Sequence, residues 1–88
     1  MLIAVRAIAS GSVQRVGFRA RAQAIAMELN LMGYAKNLPN GMVEIAVQGE
    51  EEEIDQFFHQ LQLSYPEASF EKSSTRASEL QFSGFSIH

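Results

Sequence analysis

Residues 33–49 read GYAKNLPNGMVEIAVQG. Pro39-Asn40-Gly41 spells a turn: proline presets φ, and Asn-Gly tolerates positive φ. After the turn the residues alternate, so Val43, Ile45 and Val47 share one face and Met42, Glu44 and Ala46 the other. Gly33 to Asn37 reads as the strand before the turn, and the two strands as a hairpin. Gly49 is expected to break the second strand.

Outward from this hairpin the chain divides cleanly. Residues 2–9 (LIAVRAIA) are an apolar run with one charge, read as a central strand. Residues 11–17 (GSVQRVG) carry glycine at both ends and little periodicity, which predicts a loop. From Phe18, apolar residues recur at Ala22, Ile25 and Leu29, one face of an alanine-rich helix. Asn30 suits a left-handed stop, with Leu31 following. On the other side of the hairpin, Glu50 to Glu53 crowd the start of a second helix, where carboxylates complement the dipole. Ile54, Phe57, Phe58 and Leu61 form its buried stripe, and Tyr65-Pro66 ends it. Residues 68–77 read as an edge strand and 82–87 as a short closing strand. This order predicts an α+β fold: a ferredoxin-like split βαβ sandwich, βαββαβ plus a closing strand, with two helices on one face of a mainly antiparallel sheet. Its 88 residues have room for one core, so a single domain over 1–88 is expected.

Composition narrows the function. Cysteine is absent, which excludes a disulfide scaffold and thiol chemistry. The two histidines, His59 and His88, stand far apart, so no metal site is expected. No apolar run approaches the ~18 residues that cross a bilayer, and Arg6 follows rather than precedes the first apolar residues, unlike a signal peptide. A cytoplasmic protein with no membrane partner is expected. The net charge of −3 argues against a nucleic-acid partner, as does the lack of aromatic residues on the strand at 42–48. The charge is uneven. Residues 1–43 hold five bases (Arg6, Arg15, Arg19, Arg21, Lys36) against Glu28, whereas residues 44–88 hold two bases against nine acids. A small anion would be drawn to the first half.

The loop at 11–17 can aim successive N–H groups into one concavity, and the helix that starts at Phe18 turns its positive end to the same place. Arg19, in the first turn, would add a planar fork of donors suited to phosphate oxygens. Many such loops merely turn the chain. Asn37 has two readings: a turn-initiating asparagine bonded to its own backbone, or a side chain sharing a pocket with Arg19.

The stretch Gly11-Ser12-Val13-Gln14-Arg15-Val16-Gly17-Phe18-Arg19 resembles the acylphosphatase signature G-x-V-Q-G-V-G-F-R. Gly33-Tyr34-Ala35-Lys36-Asn37, followed by Gly41, Val43 and Gly49, is similar to the family's second signature, and residues 82–87 to its last strand. The resemblance spans nearly the whole chain. It implies a small, free-standing, monomeric enzyme that hydrolyses acyl phosphates with neither metal nor cofactor. It implies that Arg19 and the loop amides of Gln14, Arg15, Val16, Gly17 and Phe18 bind the phosphate, and that Asn37 positions the attacking water. Arg15 departs from the pattern, standing at the usual middle glycine. An arginine there either strains the loop or points outward, and the strained case leaves a catalytically weakened phosphate-binding module as the alternative function. Arg21 is read as a solvated helix residue, the Glu50–Glu53 run as a helix start and not a metal ligand set, His59 as a helix residue without the orienting partner that catalysis needs, and Phe18 as a core plug behind the loop.

Overall fold

The computed structural model describes residues 2–14, 16–76 and 82–88. Its elements run β1 (Leu2–Ser10), α1 (Phe18–Glu28), β2 (Met32–Asn37), β3 (Val43–Glu50), α2 (Glu51–Ser64), β4 (Ser69–Arg76) and β5 (Phe85–Ile87). The five strands form one sheet in the order β4-β1-β3-β2-β5. All neighbours are antiparallel except β5, which runs parallel to β2. This is the expected ferredoxin-like α+β fold. The expectation of strand at Ala77 lies outside the described residues.

Strand alternation decides which side chains meet the helices. Val5, Ala7 and Ala9 of β1 stand opposite Val47, Ile45 and Val43 of β3, and Ala35 of β2 pairs with Ile45. All seven are buried. Phe18, Ala22, Ile25 and Ala26 of α1, and beside them Ile54, Phe57, Phe58 and Leu61 of α2, cover them on this one face. Each fully buried Phe or Ile contributes about 1.5–3 kcal/mol of transfer free energy.

The opposite sheet face carries the alternate residues. There Tyr34 donates to Glu44 (2.7 Å) and Arg6 approaches the same carboxylate (3.6 Å). Burial, and then the Glu44 acceptor, push the Tyr34 phenol above its ordinary pKa. Lys36 lies on this face, one residue out of phase with Asn37.

Helix α1 ends where the residues say it should. Asn30 is left-handed (φ 58°), its N–H donates to the Met27 carbonyl, and the Leu31 N–H donates to the Ala26 carbonyl at 2.8 Å. Those two bonds are the Schellman closure. Leu29 is the C-cap and still packs, half-buried, against the core, and Ala26 joins the buried stripe. Gly49 does not break β3. It pairs with Ile3, and the Leu31 side chain occupies the space where a Cβ would stand. The strand therefore continues to Glu50, which is extended (φ −73°, ψ 144°) and serves as the N-cap of α2.

Gly33 is needed for a different reason. At φ 148° it lies back to back with β3, and an added Cβ would overlap the Ala46 carbonyl. Gly33→Ala is expected to cost about 2 kcal/mol through strain and overpacking. Urea denaturation checks this, and an unchanged midpoint would show that β2 can shift to make room.

Candidate functional site

The β1–α1 loop leads into a helix start that no side chain caps. Gly17 is the N-cap, left-handed at φ 75° and ψ 14°. The first intrahelical bond runs from the Arg21 N–H to the Gly17 carbonyl (2.9 Å). The N–H groups of Phe18, Arg19 and Ala20 precede it and have no helical acceptor. No acidic residue occupies this first turn, so the positive end of the helix is not neutralised locally.

Two contacts hold the loop in place. The Tyr65 hydroxyl donates to the Val16 carbonyl (2.9 Å) from the end of α2. The Gln14 side-chain amide donates to the Leu38 carbonyl (2.9 Å) and the Met42 carbonyl (2.8 Å) of the β2–β3 turn. Phe18 is 1% exposed and packs edge-on against Tyr65, so it plugs the core behind the loop as expected.

Arg19 projects from the first turn of α1 toward the end of β5. Its Nη1 donates to the His88 main-chain oxygen at 2.9 Å. The same oxygen accepts from the Asn37 N–H at 3.1 Å. One acceptor thus joins the guanidinium to the backbone of Asn37, across 18 residues of sequence. Of the five guanidinium N–H donors, only one is committed to this contact. Asn37 is in phase with Gly33 and Ala35 on the helix face of β2, as a side chain sharing a pocket with Arg19 must be. Its Oδ1 is buried and has no hydrogen-bond partner. The alternative reading of Asn37, a turn bond to its own backbone, does not occur. Asn40 takes that role, its Oδ1 accepting from the Met42 N–H at 3.1 Å.

A cavity of about 140 Å³ lies beside this arrangement, lined by Val13, Gly17, Phe18, Arg19, Ala20 and Ile87. A larger one, about 470 Å³, is lined by Ile3 and Glu50–Glu53, whose carboxylates would repel a phosphate. Among the described residues no three His, Asp or Glu side chains gather as a metal site requires.

Of the predicted site residues, Gly17, Phe18 and Arg19 line the smaller cavity; Gln14, Val16 and Asn37 do not, Asn37 being tied to Arg19 through the His88 oxygen and Gln14 to the β2–β3 turn. The expectation for Arg15 lies outside the described residues. Two participants had no sequence signal of their own. Tyr65 reads only as a helix end, and the His88 contribution is a main-chain oxygen, which no residue type announces.

The acylphosphatase family model matches residues 5–87. An acylphosphatase of Vibrio parahaemolyticus is 45% identical over 84 residues, 93% of this chain and 92% of that protein. One of Thermus thermophilus is 51% identical over 55 residues, 62% of this chain and 62% of that protein. The crystal structure of the acylphosphatase from Bacillus subtilis superposes with a TM-score of 0.87 at 33% identity, covering 100% of this chain and 99% of that one. Sequence, fold and the two motifs agree, and the chain belongs to the acylphosphatase family, hydrolases that act on acid anhydrides.

Proposed function

We propose that Arg19 and the amides of residues 14–18 hold the phosphoryl group of a small acyl phosphate while Asn37 aims water at its phosphorus. The products are a carboxylate and inorganic phosphate. The P–O bond to the acyl group breaks as the bond to water forms. The departing carboxylate needs no proton, so no general acid is required. Asparagine is no base, and the proton of the water passes to a phosphate oxygen of the substrate. Phosphoryl transfer of this kind has a loose transition state with charge on the equatorial oxygens. Holding those oxygens and placing water in line is the larger part of the catalysis.

The observation that carries this reading is the His88 oxygen shared by Arg19 and the Asn37 backbone, beside an uncapped helix start. A cation and helix-start amides without helical acceptors meet there, and the main chain of Asn37 is held to the same oxygen. The unpaired Asn37 Oδ1 adds support. An unsatisfied buried acceptor is costly, and at a site a bound water is one way to satisfy it. The terminal torsion of an asparagine is soft and two-fold, so a half-turn presents the oxygen to the pocket without moving β2.

In this reading the chain works as a monomer, as one domain over 1–88, in the cytoplasm, where a cysteine-free protein suits the reducing conditions. Positive charge for the phosphate comes from Arg19 and main-chain dipoles, so no metal is needed. The test is hydrolysis of acetyl and benzoyl phosphate by the purified chain in the presence of EDTA. Undiminished turnover is expected. A strict requirement for added Mg²⁺ would refute the metal-free mechanism, and phosphate binding without turnover would leave only an anion-binding module.

A further inference from the structure

Gln14 does more than contribute a main-chain amide. Its side-chain Nε2 donates to the carbonyls of Leu38 and Met42 at 2.9 and 2.8 Å. Both neighbours are acceptors, so the NH₂ end of the amide must face them, and both of its protons are used. These carbonyls also close the β2–β3 turn. The Leu38 N–H donates to the Met42 oxygen (2.8 Å), and the Gly41 N–H donates to the Leu38 oxygen (3.2 Å). Gln14 therefore grips the two ends of a closed turn, and the nearer end is the residue next to Asn37.

The Asn37 side-chain oxygen has no hydrogen bond of its own. Its position is inherited from the main chain. On one side the Asn37 N–H is fixed by the His88 oxygen, and on the other the Leu38 carbonyl is fixed by Gln14. Gln14 sits in the same loop whose amides are proposed above to hold the phosphate. We propose that Gln14 is a positioning residue that ties the phosphate-holding loop to the strand carrying Asn37, and so sets the distance between phosphorus and water. This inference rests on the assignment of Asn37 to the water. A displacement near 1 Å between loop and turn would leave phosphate held but water out of line, and errors of that size can cost on the order of a hundredfold in rate.

Two variants test it with benzoyl phosphate as substrate and inorganic phosphate as inhibitor. Gln14→Met keeps the length and loses both donors. It is expected to lower kcat about tenfold while the inhibition constant for phosphate stays within about twofold. Gln14→Glu also loses both donors when ionised, and turns a carboxylate toward two carbonyls. On protonation it regains one O–H donor. Its kcat relative to the parent at the same pH is therefore expected to rise at least about threefold between pH 8 and pH 5, while the same ratio for Gln14→Met stays flat. A structural defect alone would not produce that recovery. If Gln14→Glu fails to fold, the kcat-against-inhibition split of Gln14→Met decides alone. Parental kcat in Gln14→Met, or a loss confined to phosphate affinity, overturns the proposal. A flat ratio for a folded Gln14→Glu does so too. Asn37→Ala run in parallel separates the two ideas. If it stays active, the water assignment has failed; if it collapses while Gln14→Met is unaffected, only the coupling is wrong.

Discussion

Arg19→Gln is expected to lower kcat/KM for benzoyl phosphate by about a hundred- to a thousandfold, the usual effect of removing one preorganised transition-state contact, ~3–4 kcal/mol. The substitution is chosen to leave the scaffold alone. Glutamine retains an NH₂ that can still serve the His88 oxygen, and that exposed bond is worth only about 1 kcal/mol. What disappears is the charge and the rest of the planar fork. Phosphate inhibition should weaken with it, because in the proposed mechanism the guanidinium grips the ground-state ion as well as the transition state. Arg19→Lys is an informative companion. It restores the charge as a point and not as a fork, so it should recover phosphate inhibition more than turnover. Parental turnover in Arg19→Gln would remove Arg19 from the mechanism.

The parts of the molecule legible in the sequence are those set by local physics. The hairpin follows from Pro39-Asn40-Gly41 and the alternation after it. The end of α1 follows from Asn30, whose left-handed φ is a property of its own side chain. Gly49 misled because a strand glycine has two uses, a break or a close approach, and the choice between them is made by Leu31, eighteen residues earlier in the chain. The parallel pairing of β5 with β2 is likewise invisible locally, since three residues carry no direction.

The site divides in the same way. That residues 11–19 could hold an anion was readable from glycines, a helix start and an arginine. That the Asn37 backbone is linked to Arg19 was not readable from residue types, because the joint is the main-chain oxygen of His88, just past β5. The family motifs supplied that link, and the geometry gives its physical content. The clamps by Gln14 and Tyr65 lie one step further away, since each acts on a carbonyl.

Asn37→Ala should separate chemistry from binding and from stability at once. Turnover is expected to fall by about a hundredfold or more, since the group proposed to align the nucleophile is gone. Inhibition by inorganic phosphate should stay within about twofold of the parent, because Arg19 and the loop donors are untouched. The fold should lose little. The bond from residue 37 to the His88 oxygen is made by the main chain and survives truncation of the side chain. The side chain itself leaves Oδ1 buried and unpaired, which costs about 1–3 kcal/mol. Removing that acceptor offsets the lost packing, so the urea midpoint should match the parent or exceed it. An inactive variant at least as stable as its parent is the pattern of a residue retained for function at the expense of stability. A clear drop in stability would mean that Asn37 supports the structure. Full turnover would mean that water is aligned by another group.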